Sequence, residues 1–380
     1  MKKGKKIIVI CCHKFTSGPD DDLVLFYKNK KYDVIHITHE FSSTKTRRSL
    51  AYYYSKGKLQ EKKISKDYSF LPTVLIYLKE FIYTILFSLN CNGKIYKFYA
   101  LDGLCVSFGN FLKIFNKVSY SIFWSIDFVP ENRFSGKIKN FIYHLFNIIG
   151  YKFSNELWDL SPKMEPARKK KYHIMQIKKS SIVPYGVWLS RLQIYEIMHC
   201  NPYSLVYMGH IGTNSNLELV LKSIPLIKSK INQFKFHVIG GGLGLNKVMQ
   251  SAKKNNVFND CIFYGKIESI TSLEKIISKS YAGIAPYDPN TDVFTQYADP
   301  GKIKTYLGCG IPVITSKVPW NANEMKENGC GYIIKMSAEQ IADKVVMLFT
   351  DKKLLSNSRI NSRKYASSFD YENIFKVTRD

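Results

Sequence analysis

A lysine stands in the first turn of a predicted helix, directly after a proline and a glycine. The run DPGKIKTYLGCGIPVI, residues 299–314, opens with Pro300 and Gly301 and so places Lys302 where the helix dipole repels a cation. A diphosphate held by this lysine and by the amides of the first turn removes the conflict. A plain helix with a solvated lysine is the alternative. The spacing therefore favours an anion site at the start of this helix.

A cluster of glycines, Gly240–Gly244, follows a predicted strand and precedes a predicted helix. Glycine at such a turn lets the backbone approach a phosphate, and the helix amides favour an anion. The cluster is not the G-x-G-x-x-G fingerprint of a dinucleotide site, because its third glycine falls early and no clean ribose-binding acid follows about 20 residues later. A dehydrogenase is thus disfavoured. A tight turn without a ligand explains the cluster equally well.

Three residues able to carry acid or base chemistry directly follow predicted strands; they are His13, Asp102 and Asp127. Active groups of a parallel sheet collect just beyond the C-terminal ends of its strands. We therefore expect the three side chains at one edge of the first sheet. Asp102 could instead cap the helix after it, and His13 could be a loop histidine. The acidic run Asp20–Asp22 indicates the first turn of a helix rather than a metal-binding cluster.

Strand-like and helix-like segments alternate through both halves of the chain, which predicts parallel sheets covered by helices on both faces. The predicted strands are 6–12, 32–38, 94–100, 119–126, 156–161, 204–208, 235–239, 260–264, 281–286 and 312–315. The predicted helices include 72–89, 103–116, 135–151, 166–171, 216–230 and 301–309, and 338–380 is largely helical. A proline and a glycine mark a linker near 184–200. We predict an α/β protein with domains at 1–195 and 196–360, followed by a helix at 361–380 that could cross back to the first domain.

The order of these motifs resembles that in the GT-B glycosyltransferases, most of all the large family 4-like group of retaining enzymes. The motifs are Gly209, the cluster 240–244, FYG at 263–265 and the run 299–314, with looser agreement in YALDG at 99–103, FWSID at 123–127 and VPYGV at 183–187. The resemblance implies two Rossmann-like domains that face a central cleft. It also implies a transferase that moves a sugar from a nucleotide-diphosphate donor to an acceptor.

The resemblance assigns the donor to the C-terminal domain, with the diphosphate held by Lys302 and the helix amides and the base near Tyr264. The implied donor-binding residues are Gly209, His210, Gly241, Gly242, Tyr264, Lys266, Asp299, Pro300, Gly301, Lys302, Ile303 and Thr305. No metal and no further cofactor are expected, because helix dipole and cations stabilise the departing diphosphate. UDP is slightly favoured over GDP. For activation of the acceptor, Asp127 is the first candidate, with His13 and Asp102 as alternates.

This sequence departs from the family pattern at the donor site. The family usually has two glutamates eight residues apart, and their places are taken by Tyr297 and Thr305. The usual basic residues after the first glycine loop are replaced by His210, Asn214 and Asn216. Phosphate binding therefore depends more heavily on Lys302. The missing glutamates raise a second hypothesis, a catalytically inactive nucleotide-binding partner subunit with the same fold.

The net charge of +26 is uneven, since residues 1–195 carry +19 and residues 196–380 carry +7. A basic first half fits a membrane surface, a polyphosphate-linked acceptor or a nucleic acid, although a lysine-rich genome explains much of the total. The basic stretches 45–48, 62–63 and 168–171 could join the apolar helix 71–89 in an interfacial patch, or be solvated helix faces. A nucleic-acid-binding protein ranks third among the hypotheses, because no nucleic-acid motif supports it.

Eight cysteines without a C-x-x-C pair argue for a reducing compartment and against a disulfide framework or a zinc site. The initial apolar run, Ile7 to Cys12, is too short for a signal peptide, and Lys79 and Glu80 interrupt the longest apolar segment. We expect a cytoplasmic protein, with peripheral contact to the inner face of an anionic membrane left open. The expected partners are a nucleotide sugar and a glycan or lipid-linked acceptor of cell-envelope polysaccharide synthesis, and no nucleic acid.

Overall fold

The computed structural model describes residues 6–14, 18–41, 46–91, 93–173, 179–212, 215–291 and 294–378. Two compact units result, one up to Val183 with Thr378 added to it, the other Pro184–Val377. The division falls where the predicted linker 184–200 begins. Residues 361–377, the larger part of the predicted crossing helix, belong to the second unit. Asn214, one of the departures from the family pattern, and Lys45 of the first basic stretch lie outside the described residues.

The first unit alternates strands and helices, apart from one hairpin. Its strands are β1 (Ile7–Lys14), β2 (Asp33–Glu40), β3 (Ser49–Ser55), β4 (Lys58–Ile64), β5 (Ile95–Ala100), β6 (Val118–Ser125), β7 (Glu156–Asp159) and β8 (Ser180–Ile182). Its helices are α1 (Pro19–Asn29), α2 (Thr73–Leu89), α3 (Gly103–Ile114), α4 (Lys137–Phe153) and α5 (Met164–Tyr172).

The strands of the first unit form one sheet in the order β4-β3-β2-β1-β5-β6-β7-β8. All neighbours from β2 to β8 pair in parallel, as the sequence predicts. The prediction is wrong at one edge, where β3 pairs antiparallel with β2 and with β4. Because β4 is exposed along almost its whole length, it lacks the apolar signal by which a strand is recognised.

Local sequence explains how the helices of the first unit begin. Helix α1 starts with Pro19 after an extended Gly18, and three aspartates fill its first turn. Helix α3 is capped by Asp102, whose carboxylate accepts the Cys105 N–H at 2.9 Å. Helices α2, α3 and α4 cover the same face of the sheet, since all three contribute to one core with β1, β2 and β5.

The second unit repeats the alternation without a hairpin among its described residues. Its strands are β9 (Ser204–Met208), β10 (Lys235–Ile239), β11 (Cys261–Gly265), β12 (Ala282–Ala285), β13 (Val313–Thr315) and β14 (Gly331–Ile333). Its helices are α6 (Leu217–Lys228), α7 (Leu245–Lys254), α8 (Ile270–Ser278), α9 (Gly301–Gly308), α10 (Ala322–Glu327), α11 (Ala338–Thr350), α12 (Lys352–Ala366) and α13 (Tyr371–Ile374).

The sheet of the second unit has the order β11-β10-β9-β12-β13-β14, and every neighbouring pair is parallel. This is the 3-2-1-4-5-6 order of the Rossmann fold, in which the chain moves in opposite directions on the two sides of the first strand. Here that strand is β9. A Rossmann-like second domain is thereby confirmed.

Tyr306 of α9 anchors this helix to the two central strands. Its hydroxyl accepts the Met208 N–H at 2.7 Å and donates to the Ile284 carbonyl at 3.4 Å. Its ring lies so close to β12 that a Cβ added to Gly283 would be 2.5 Å from ring atoms. The glycine therefore allows α9 to sit directly on the sheet, which sets the position of the residues at the start of the helix.

Gly283→Ala should destabilise the second unit by about 1–3 kcal/mol, because the new methyl group overpacks a rigid ring against a strand. Gly136→Ala is the matched control, since an added Cβ there meets nothing within 4 Å. We expect it to cost less than about 1 kcal/mol. Urea unfolding free energies measure both, and equal losses in the two variants would contradict the packing argument.

Candidate active site

The second unit gathers its glycine loops beyond the ends of β9 and β10. Gly209, Gly240 and Gly242 have φ angles of 147°, 139° and 143°, which side chains rarely tolerate. A Cβ on Gly240 would lie 1.9 Å from the Gly209 carbonyl oxygen. Two backbone segments therefore touch directly, and the Ile211 N–H donates to the Gly241 carbonyl at 2.9 Å.

Lys302 lies against this pair of loops. A Cβ on Gly209 would be 2.9 Å from the lysine Nζ. The ammonium sits 4.2 Å from the ring centroid of Tyr207 on β9 and 5.4 Å from that of Tyr287, which follows β12. Since β9 and β12 flank the reversal of strand order, the lysine occupies the place where such sheets bind ligands. The structure thus joins Gly209 and Lys302, which lie far apart in the sequence.

The start of α9 divides the predicted residues into two groups. Pro300 and Gly301 form the first turn and are partly exposed. Asp299 and Ile303 are buried and face the interior. Asp299 accepts hydrogen bonds from the Tyr185 N–H, the Lys304 ammonium and the Trp320 indole N–H at 2.8–2.9 Å. These contacts give the Asp299 carboxylate a structural role, which the sequence pattern did not indicate.

Thr305 occupies the position of the second family glutamate on α9. Its hydroxyl donates to the Gly301 carbonyl of the same helix at 3.3 Å, and the side chain is half-buried. Tyr297, at the position of the first glutamate, is half-buried as well. In place of two acids, the described site has a hydroxyl turned back on its helix and a phenol.

Tyr264 at the end of β11 pairs with a histidine on the neighbouring strand. Its hydroxyl lies 2.9 Å from His237 Nδ1, and the two rings stack at a centroid distance of 5.7 Å. Burial lowers the pKa of His237 to about 4, and Lys235 adds to the shift. Lys266 is exposed beside Gly241, where an added Cβ would be 3.8 Å from the lysine Cβ, and pairs with Glu268 at 2.7 Å.

His210 borders the second glycine loop, because a Cβ on Gly242 would be 2.7 Å from its ring. Its side chain is exposed. Asn216 instead makes a contact within the protein, because its side-chain amide donates to the Pro286 carbonyl at 2.9 Å. Of the two described residues that replace the family's basic groups, His210 is the one beside the glycine loops.

In the first unit, His13, Asp102 and Asp127 line one cavity of about 230 Å³. The cavity lies at the C-terminal edge of the first sheet. There β1 and β5 lie on either side of the point where the strand order of this sheet reverses. Other charged or phenolic side chains in its wall are Arg47, Lys139, Tyr77 and Tyr143. The prediction that the three residues share one edge is thereby met.

His13 is held between two carboxylates. Its Nδ1 lies 3.0 Å from Asp102 Oδ2 and its Nε2 lies 3.2 Å from Glu80 Oε2. Burial lowers the pKa of His13, but attraction to the two carboxylates outweighs burial and raises the pKa well above its ordinary value. Glu80 is fully buried and is also bound by Arg47 at 3.3 Å. The two carboxylates therefore favour the imidazolium form of His13, which has no lone pair to accept a proton.

Asp102 and Asp127 differ in the state of their carboxylates. Burial raises the pKa of Asp102, but His13 and the backbone amides of Cys105 and His13 hold it well below its ordinary value. Burial raises the pKa of Asp127 above its ordinary value, opposed by Arg133, whose Nε lies 2.9 Å from Oδ1. A carboxylate with a raised pKa is the better proton acceptor. Among the three predicted residues, Asp127 has the properties of a base.

Comparison with known proteins supports the same architecture. Residues 202–351 match the family model described as Glycosyl transferases group 1. The structure of Alr3699/HepE from Anabaena in complex with UDP is similar over 98% of both chains, with a TM-score of 0.69 and 12% identity. None of the curated proteins compared with the chain matches it significantly.

Two further solved structures agree. Sucrose-phosphate synthase from Thermosynechococcus elongatus has a TM-score of 0.72 at 12% identity, over 98% of this chain and 97% of its own. WaaG, a glycosyltransferase involved in lipopolysaccharide biosynthesis, has a TM-score of 0.67 at 14% identity, over 98% and 100%. This chain has the GT-B glycosyltransferase fold. The resemblance inferred from the motifs is confirmed at that level.

Sequence reasoning missed three contributors to the two candidate sites; they are Glu80, Tyr207 and Tyr287. Glu80 could have been identified from the sequence, because an acid buried inside an apolar helix costs free energy unless it is paired. Its partners, however, come from β1 and from the segment before β3. The two tyrosines flank Lys302 only after β9, β12 and α9 have assembled, so nothing in their local sequence distinguishes them.

The basic stretches proposed for an interfacial patch are only partly available. Arg168 is fully buried, where it binds Asp159 at 2.5 and 2.8 Å and lies over the Tyr151 ring. Arg47 is committed to Glu80. The prediction of a surface role is wrong for Arg168, because the arginine balances a buried acid within the first unit.

Among the described residues of the first unit there are three groups of potential metal ligands, each with ligand atoms within 4.8 Å of one another. They are Cys11–His39–Cys105, Cys12–Asp20–His36 and His13–Asp102–Cys105. Hydrogen bonds already join several members, for example His36 Nε2 to Asp20 Oδ2 at 2.9 Å. All eight cysteines are free thiols. The argument against zinc rested on sequence spacing, which does not reveal ligands joined by folding, and the absence of a metal stays a prediction.

His13 should remain protonated well above its ordinary pKa of about 6.5 in the folded protein. Because that pKa is raised, its protonation stabilises the fold fully below the ordinary value, and this contribution is lost as the pH rises through the folded-state pKa. Nuclear magnetic resonance titration of the histidine rings from about pH 5 to about pH 9 measures the pKa of His13. His237 is the internal control and should stay neutral throughout. A His13 ring that titrates near its ordinary pKa would contradict the two-carboxylate arrangement.

Proposed function

We propose that this protein transfers a sugar from a nucleotide-diphosphate donor, UDP favoured over GDP, to a hydroxyl group of a glycan acceptor. The observation that carries the proposal is the ammonium of Lys302 held beside Gly209 at the reversal of strand order in the second sheet. The match of residues 202–351 to Glycosyl transferases group 1 supports it. So do the Alr3699/HepE structures, which contain UDP, UDP with glucose, and UDP-glucose.

The donor site would act by stabilising negative charge on the leaving diphosphate. Lys302 supplies a cation, and the start of α9 supplies the positive end of a helix dipole with its N-terminal amides. The rings of Tyr207 and Tyr287 restrict the water around the ammonium, which strengthens its attraction to an anion. These groups require no metal ion, and we propose that the reaction proceeds without one.

The acceptor would enter the cavity of the first unit, with Asp127 as the base. The acceptor hydroxyl gives its proton to the Asp127 carboxylate while its oxygen attacks the anomeric carbon. The bond from that carbon to the diphosphate breaks, and its electron pair leaves with the nucleotide. Because none of the described groups is placed as a clear nucleophile, we propose front-face attack with retention of configuration, as in the family 4-like enzymes. His13 and Asp102 would position the cavity wall.

We propose a lipid-linked glycan of the cell envelope as the acceptor, used at the cytoplasmic face of the membrane. The cavity wall supports this, because it combines the cation Lys139 with apolar side chains such as Phe134, Ile142 and Phe146. Such a wall suits a phosphate group attached to an apolar chain. The structure of WaaG, described as involved in lipopolysaccharide biosynthesis, is consistent with this class of pathway. No helix among the described residues has the length and apolarity to cross a bilayer.

A specific observation favours a second candidate, a nucleotide-binding partner subunit without catalysis. Tyr297 and Thr305 stand where the family usually has two glutamates, and the Thr305 hydroxyl bonds to its own helix. Such a subunit would bind the nucleotide and release none of it as product. Binding and turnover therefore have to be measured separately.

Lys302→Ala should weaken nucleotide binding roughly tenfold to a hundredfold, because a charge-assisted contact to the diphosphate is lost. Thermal shifts with UDP, GDP, ADP, CMP and dTDP measure this on the wild type and the variant. Lys230→Ala is the control, since Lys230 is exposed at the end of α6. Selective stabilisation by one nucleotide, reduced only in Lys302→Ala, supports the donor site. Absence of any stabilisation in the wild type would contradict it.

Asp127→Asn should reduce turnover by about 10²–10⁴-fold with little change in UDP binding, because the amide does not accept the acceptor proton. Release of UDP from UDP-glucose, with and without extracted envelope lipids and with a metal chelator present, is the assay. Glu131→Gln is the matched control, an exposed acid on the same loop. A wild type that binds UDP but never releases it from a sugar nucleotide would favour the partner subunit. Unchanged turnover in Asp127→Asn would remove Asp127 from the mechanism.

A further inference from the structure

The outer face of helices α2, α3 and α4 is unusually apolar for a surface. Residues that represent this α2–α4 face are Leu78, Ile82 and Leu86 on α2, Ile114 on α3, and Ile138 and Phe141 on α4. The side chains of Ile114, Ile138 and Phe141 are 78%, 75% and 68% exposed. Single exposed apolar residues are ordinary, but a set shared by three adjacent helices marks an interaction surface.

The three helices form one continuous surface. Phe81 of α2 packs on Phe111 of α3 with a centroid distance of 4.9 Å. Gly103 at the start of α3 lies so close to α4 that an added Cβ would be 2.8 Å from the Phe146 carbonyl carbon. Since all three helices cover the same side of the sheet, their outer sides form a single layer.

The charges of this layer have one sign. Glu80 is the sole acidic residue of α2, α3 and α4, and it is fully buried between His13 and Arg47. Lysines are exposed on the same helices; they are Lys79, Lys137, Lys139 and Lys152. The α2–α4 face therefore presents apolar side chains and positive charge, with no exposed acid.

We infer that the α2–α4 face docks on an anionic lipid bilayer. Exposed apolar residues enter the boundary between headgroups and acyl chains, and nearby lysines attract anionic headgroups. A second copy of the chain fits less well. A two-fold interface would set lysines of this face against the same lysines, with no acid on either side to pair with them.

Docking has a consequence for the cavity of the first unit. Its wall includes Thr73 and Tyr77 from the start of α2 and Lys139 and Ile142 from the start of α4. The docked face would therefore bring the cavity to the level of the lipid headgroups. This consequence rests on the proposed function, whereas the docking does not.

Vesicle flotation tests the docking. The wild-type chain should bind vesicles that contain phosphatidylglycerol, bind pure phosphatidylcholine vesicles more weakly, and lose binding as salt is added. Leu78→Glu with Phe141→Glu should reduce binding by about tenfold or more. The matched control is Leu226→Glu with Ile360→Glu, two exposed apolar residues of the second unit. A second variant, Lys137→Glu with Lys152→Glu, keeps the apolar residues and should abolish the preference for anionic vesicles.

Three outcomes would overturn the inference: wild-type protein that binds neither vesicle, equal binding by wild type and both face variants, or a wild-type dimer that Leu78→Glu with Phe141→Glu separates. The last would assign the face to self-association. UDP thermal shifts on every variant verify folding of the second unit and far-ultraviolet circular dichroism that of the whole chain. A wild type that binds neither vesicle but releases UDP from UDP-glucose would leave the proposed function standing without the docking. A wild type that binds vesicles but releases no UDP would leave the docking standing without the proposed function.

Discussion

The direct contact of two backbone loops, Gly209 on Gly240, is the constraint on which the proposed donor site depends. A side chain at Gly240 would collide with the carbonyl at Gly209, so β9 and β10 end in loops that touch without any side chain between them. The Lys302 ammonium lies in the space beside Gly209, which has no side chain to fill it. The helix that carries this lysine sits on the sheet because Gly283 leaves room for Tyr306. Gly209, Gly240 and Gly283 thus together determine the position of the Lys302 ammonium.

Both units use the reversal of strand order in the same physical way, with different chemistry. In the second unit the cation at this place, Lys302, lies against the rings of Tyr207 and Tyr287. In the first unit the residue at the corresponding place, His13, lies between the carboxylates of Asp102 and Glu80. The first arrangement suits a charged ligand, and the second fixes three elements around a cavity. One topology therefore supports both a binding charge and a structural charge.

The order of elements could be predicted from the sequence wherever apolar periodicity was present. The parallel strands and the helices between them were predicted in this way, and the position of Lys302 in a first turn was predicted from Pro300 and Gly301. The hairpin β3–β4 was not, because β4 has almost no buried residue. Long-range pairing was equally hidden, as the Asp299 carboxylate illustrates. Its neighbours in sequence suggested a ligand contact, and its partners Tyr185 and Trp320 become adjacent only on folding.

The hairpin that sequence patterns missed also protects the sheet from aggregation. An exposed edge strand offers unpaired backbone groups to any other strand in solution. Here the edge is β4, and it carries Lys58, Lys62 and Lys63 within seven residues. An incoming copy of the same strand would have to bring like charges together along a ladder of hydrogen bonds. The lysines of this strand therefore disfavour edge-to-edge polymerisation. A shorter sheet that ended at the apolar β2 would lack this protection.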